Sequence, residues 1–86
     1  MHHDLKLVAK YFQYVLDGNK KSECRLNDRN YQIGDTITLK EGWPNINGFD
    51  YTGREISARI TYIDDFGCQS GYVNLSLDDV GMLIVK

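Results

Sequence analysis

Eighty-six residues with 42% hydrophobic and 26% charged content predict one globular domain over 1–86, with a core too small to enclose a deep site. The net charge of −2 argues against bulk attraction to nucleic acid, and no apolar run approaches the length of a membrane span, so no membrane partner is expected. The charge is uneven: residues 1–34 carry six Lys or Arg against four acids, and residues 35–86 carry four against eight.

Leu5 to Val8 reads as a first strand and Ala9 to Asp17 as a helix, with Phe12, Val15 and Leu16 spaced on one face. Gly18 supplies the left-handed residue that ends a helix, and Lys20 and Lys21 follow where the macrodipole is negative. Ser22 to Asn27 alternates, which predicts Cys24 and Leu26 inward and Glu23, Arg25 and Asn27 outward. Asp28-Arg29-Asn30 and Gly34-Asp35 read as turns, and Thr36 to Lys40 as a strand with Ile37 and Leu39 inward. Residues 42–53 hold Trp43, Pro44, Asn45, Asn47, Phe49 and Tyr51 among glycines and read as a long loop. Glu55 to Ile63 is the clearest strand, with Ile56, Ala58, Ile60 and Tyr62 on one face. Tyr72 to Leu77, with Val73, Leu75 and Leu77 inward, and Met82 to Val85 complete the strands, separated by a turn at residues 78–81. The sum is an α+β, mainly β chain of five to six strands, mostly antiparallel, with one helix covering the sheet as in a small, partly open barrel.

The run Gly18 to Arg25 concentrates charge where helix gives way to strand. Glu23 and Arg25 project from one face of a strand, either as a surface ion pair or as the floor of a polar cleft. In the cleft reading, Arg25 and Lys20 bind a phosphate or a base edge, and Glu23 holds Arg25 or accepts a base amino group. Lys21 and Arg29, like Lys6, read first as solvated residues and second as backbone contacts to RNA. Asp28 and Asp35 read as turn formers. Trp43, Phe49 and Tyr51 either stack on bases or fold back to cap one end of the barrel. Cys24 and Cys68 match no metal or redox spacing, and Cys24 is expected as a small buried apolar residue. With adjacent His2 and His3 as the only histidines, no metal site and no cofactor are expected. A reduced, cytoplasmic setting is expected from the unpaired cysteines and the lack of a leader-like start.

The stretch Gly18-Asn19-Lys20-Lys21-Ser22-Glu23-Cys24-Arg25 resembles the G-x-K-x-x-E-x-R signature of ASCH (activating signal cointegrator homology) domains, a branch of the PUA-like superfold. Residues 26–35, the later Gly71 to Leu77, the opening His3 to Lys6 and the pair Tyr11-Phe12 are similar to a compact bacterial and phage group related to ASCH domains, so the resemblance spans about positions 3–77. It implies a five- or six-stranded PUA-like barrel with a helix beside a cleft lined by Lys20, Glu23 and Arg25. It also implies RNA or a nucleotide-like small molecule as partner. Some small ASCH members are amidohydrolases that deacetylate N4-acetylcytidine, and as an enzyme this chain would work through Lys20 and Glu23. It departs from those members at Glu23, where they carry a threonine nucleophile. Ser22 is one residue away, on the opposite face of a strand. A third reading is a protein-interaction module that uses Trp43, Phe49 and Tyr51.

Overall fold

The computed structural model describes residues 1–83. In chain order the elements are β1 (His2–Val8), α1 (Ala9–Leu16), β2 (Ser22–Leu26), β3 (Thr36–Asn45), β4 (Gly48–Asp64) and β5 (Tyr72–Leu83). The strands form one sheet in the order β1-β3-β4-β5-β2. β1 runs parallel to β3, and every other pairing is antiparallel. No ladder joins β1 to β2 among the described residues, so the sheet is open and these two strands are its edges.

Alternation and helical spacing build the core. His3, Leu5 and Leu7 of β1 face inward and lie in register with Ile37, Leu39 and Glu41 of β3. Phe12 and Val15 bring α1 into the same cluster, which also holds Ile56, Ala58 and Ile60 of β4 and Leu75 and Leu77 of β5. Each large side chain removed from water there contributes about 1.5–3 kcal/mol. Past the helix, Gly18 takes a φ of 81°, and the Tyr14 carbonyl accepts from the amides of Asn19 and Lys20. That closure turns the chain directly into β2.

Several expectations are corrected. The phase of β2 is inverted: Glu23 is buried and Arg25 half-buried, while Cys24 and Leu26 are exposed. The cause is register, because Glu23 sits opposite Leu75 and Arg25 opposite Val73. Paired residues share a face of the sheet, so the core side of β5 dictates the phase of β2. Residues 42–53 are not a loop but the outer half of a β3–β4 hairpin, paired from Gly42↔Tyr51 to Asn45↔Gly48. Its tip closes by a bond from the Asn47 amide to the Asn45 side chain, 2.7 Å, and by Gly48 at a φ of 140°. Tyr62 points outward, because the ladder slips between Ile60 and Tyr62. The expected turn at 78–81 is a bulge inside a continuous β5, with Asp79 at a φ of 53° and pairing resumed at Gly81↔Ser57. Five strands are present among the described residues, and the end of the last expected strand, Ile84-Val85, lies outside them.

Asp35 is more than a turn former. Its buried carboxylate accepts from the Met1 amino group at 3.0 Å, His3 Nε2 at 2.8 Å and the Gln32 amide at 3.0 Å. The His3 bond, then that from the amino terminus, holds its carboxyl down to about 2 against the opposing effect of burial. This folded value lies below the ordinary 3.8, so the contribution is complete above about pH 4 and is lost as the pH falls toward 2. Urea unfolding across that window should show wild-type stability declining with acid. Asp35→Asn should start lower and decline less, and equal slopes for the two chains would refute the assignment. At Gly42, an added Cβ would strike the Asp50 carbonyl oxygen and the Phe49 ring. Gly42→Ala should therefore cost about 1–3 kcal/mol in the same measurement through overpacking.

Candidate functional site

Two residues of β2 and one from the helix-to-strand corner form a charged cluster. The Glu23 side chain is 5% exposed, with Lys20 Nζ 2.9 Å from Oε1 and Arg25 Nη2 3.2 Å from Oε2. Lys20 also donates to the Ser22 carbonyl. Its ammonium contacts Glu23 Oε1 as a charge without hydrogen-bond alignment, so that oxygen, like Arg25 Nε, is buried with no hydrogen-bond partner. Arg25 Nη2 donates to the Lys6 backbone carbonyl at 2.7 Å. This bond spans the gap between the two sheet edges, since Lys6 belongs to β1 and Arg25 to β2. Both cations therefore meet at one carboxylate.

Their outer sides face different concavities. Arg25 lines a cleft of about 300 Å³ together with Lys6, Arg29, Tyr31, Lys40 and Tyr51. Four cations stand there against Asp4 and Asp28. Lys6 and Lys40 are direct neighbours across the parallel β1–β3 ladder. Burial pushes the Tyr31 phenol above its ordinary value, while Arg29 and Arg25 pull it down. A tyrosine phenol is protonated at neutral pH even without that shift, so the Tyr31 hydroxyl can donate. The Tyr31 ring meets His3 edge-on, at 4.8 Å between centroids, which ties this wall of the cleft to the Asp35 network. Lys20 and Lys21 instead line a second concavity between the end of α1 and β5, of about 350 Å³ and walled by Leu77, Asp78 and Val80.

The three aromatics expected to act together are divided. Tyr51 lines the cleft, and Phe49 is half-buried, edge-on to Tyr51 at 5.2 Å, with Lys6 Nζ 5.8 Å from its ring centre. Trp43 is half exposed near the hairpin tip, beyond which Ile46 is 98% exposed. The sequence reading missed Lys40 and Tyr31. It also missed a second buried carboxylate, Glu41, which takes two bonds from Arg54, at 2.6 and 2.8 Å, and one from Thr52 at 2.6 Å. Those Arg54 bonds hold the Glu41 carboxyl below its ordinary value and raise Arg54 in return. Arg54 also lies over the Phe12 ring at 5.0 Å. Lys40 could have been found from the β1–β3 pairing that sets it beside Lys6, but that pairing is not visible in sequence spacing. Among the described residues, no group of three or more His, Cys, Asp or Glu is arranged to hold a metal ion. No helix among them is long and apolar enough to cross a membrane.

Removing the central carboxylate leaves two cations facing each other without their shared counter-charge. Glu23→Ala should lose about 1–3 kcal/mol in urea unfolding, and Glu23→Gln, which keeps the volume, less. Unchanged stability in both would mean that the carboxylate does not organise the corner.

Comparison with known proteins gives the chain its relatives. The family model described as a domain of unknown function, DUF3850, matches residues 2–77. A protein of Escherichia phage P2, named as an uncharacterized 12.9 kDa protein in the GpA 3′ region, is 51% identical over 63 residues, which is 73% of this chain and 54% of the relative. The chain thus spans about half the length of that phage protein. With nearly the whole sequence matched by the family model, the chain belongs to the DUF3850 family.

Proposed function

We propose that the chain is a small RNA- or nucleotide-binding module of PUA-like, partly open barrel type, related to ASCH domains, with the ligand in the cleft between the sheet edges. The observation that carries this reading is the clustering of Lys6, Arg25, Arg29 and Lys40 around one concavity in a chain whose net charge is −2. A concavity of this kind concentrates positive potential locally whatever the total charge. Its volume of about 300 Å³ matches the small end of ligand pockets and suits one nucleotide unit better than a duplex. Arg25 is oriented by Glu23 and the Lys6 carbonyl, which share its Nη2, so its guanidinium stands as a fixed positive charge at the cleft wall for a phosphate. Tyr51, half exposed at the rim, offers a ring for a base. The Tyr31 hydroxyl adds a donor. Lys20 acts through Glu23 in this reading, and Lys21 stands apart from the ligand.

The hydrolase alternative has less support, because Glu23 is buried between two cations and not presented to a substrate. A protein-contact reading draws on Trp43 and Ile46, both exposed toward the hairpin tip.

The test is fluorescence anisotropy with labelled short single-stranded RNAs, competed by nucleoside monophosphates, at two salt concentrations. Wild type should bind, and more weakly at high salt. Arg29→Ala/Lys40→Ala, which leaves the Glu23 cluster intact, should weaken binding about 10–100-fold. Lys21→Ala and Trp43→Ala should each stay within about threefold, a free-energy change of under 1 kcal/mol. Absence of wild-type binding, or equal binding by the double variant, would remove the reading. Selective loss with Trp43→Ala in capture of a partner protein would favour the hairpin instead.

A further inference from the structure

The two cysteines, 44 residues apart in sequence, meet in the fold: Cys24 Sγ lies 3.8 Å from Cys68 Sγ. Cys24 is on the outer face of β2, opposite Asn74 of β5. Cys68 is in the β4–β5 connection, 65–71. This connection is held in place from several directions. The Cys68 amide donates to the Asp65 carbonyl at 3.0 Å, and the Tyr72 amide to the Gln69 carbonyl at 3.0 Å. Asn74 Nδ2 donates to Asp64 Oδ1 and to the Phe66 carbonyl, at 3.1 and 3.2 Å. The Asn27 amide reaches the Gly71 carbonyl at 2.8 Å, tying the end of β2 to the same segment. Both thiols are free, Cys24 exposed and Cys68 half-buried. A pair of thiols serving only as core filler would be buried, whereas Cys24 is exposed and Cys68 only half-buried.

We propose that Cys24 and Cys68 form a redox-modification site, a vicinal dithiol that low-molecular-weight disulfides of the glutathione type convert to an intramolecular disulfide. Cys24, the more accessible, enters first. Its thiolate attacks one sulfur of the small disulfide, breaking that S–S bond and releasing one small thiolate. The Cys68 thiolate then attacks Cys24 Sγ, breaking the mixed disulfide and releasing the second small thiolate. The protons given up by the two cysteines end on the two released thiolates. Two protein thiols are thereby oxidised and one small disulfide is reduced to two thiols. Burial and the adjacent Cys24 push the Cys68 thiol up, with Asp64 and Asp65 adding to the effect, which fits its role as the second, resolving sulfur. Bond formation brings the sulfurs from van der Waals contact to about 2 Å, a movement within reach of side-chain rotation at the exposed Cys24. The product staples an edge strand, which among the described residues pairs only with β5, to the β4–β5 connection.

Folded wild-type protein is incubated with oxidised glutathione and followed by intact mass, thiol titration and thermal unfolding. The expected product has lost the mass of two hydrogens and both titratable thiols. It should melt about 10 °C higher, reversibly on addition of dithiothreitol. Cys24→Ser and Cys68→Ser should each take up one glutathione at the remaining cysteine and show no such gain. Persistent glutathione adducts on both cysteines of the wild type would overturn the proposal. So would an internal disulfide that forms only in urea, because the folded geometry would then not be what pairs the sulfurs.

Discussion

One arginine holds the two free edges of this sheet in proximity. Edge strands carry unpaired backbone groups, and a sheet either closes by a continuous ladder or leaves them to water and side chains. Among the described residues, the link between β1 and β2 is one side-chain bond, from Arg25 Nη2 to the Lys6 carbonyl at 2.7 Å. A backbone ladder would draw the strands to about 4.8 Å and leave no space between them. A guanidinium on a three-carbon stem spans a wider gap. The cleft lies where the seam is bridged by a side chain, and both sides of the seam supply its walls: Asp4, Leu5 and Lys6 from β1, Arg25 and Leu26 from β2.

That bridge depends on a buried acid, and the same device recurs twice. Glu23 lies between Lys20 and Arg25, Glu41 is gripped by Arg54, and Asp35 by His3 and the amino group of Met1. A carboxylate taken out of water costs several kcal/mol unless its partners are well placed. Each of these three is therefore a constraint on which segments can be neighbours. Asp35 fixes the start of β1 to the turn before β3. Glu41 and Arg54 join neighbouring strands beneath the helix, where Arg54 also covers Phe12 and reaches Gln13. Glu23 fixes the corner after the helix to the seam. Polar groups specify the arrangement here, and the apolar core supplies the bulk of the driving force.

The apolar skeleton was legible in the sequence because its signals are local. Phe12 and Val15 at helical spacing, Ile37 and Leu39, Ile56 to Ile60 and Val73 to Leu77 all occupy the faces that alternation predicts. The charged corner was legible too, as a concentration of Lys20, Glu23 and Arg25 just past a helix. What alternation does not contain is phase. In β2 the apolar set Cys24 and Leu26 and the charged set Glu23 and Arg25 are equally periodic, and only pairing with β5 selects between them. The hairpin was hidden for a different reason. Gly42, Pro44, Asn45, Asn47 and Gly53 carry turn chemistry, yet the pairing that overrides it comes from the partner strand. Lys40 was passed over because its significance arises from Lys6 beside it, a contact made by a parallel pairing of strands 34 residues apart.

The two faces of β2 cannot be treated separately. Its five residues alternate, so the outward Cys24 is flanked by the inward Glu23 and Arg25 on the same short length of backbone. Side chains on successive residues share the peptide planes between them, and a strand that shifts moves both sets together. Among the described residues β2 has a ladder on one side only, which makes it one of the elements most easily displaced. Whatever fixes Cys24 from outside narrows the range of positions open to Arg25 inside. Arg25 in turn reports the position of β1 through the Lys6 carbonyl. The width of the cleft is thus set jointly by Glu23 within, by Lys6 across the gap and by the sulfur contact on the outer surface. A ligand that spans Arg25 and Lys6 would bear on all three, because it would draw together the two edges that this one guanidinium now holds.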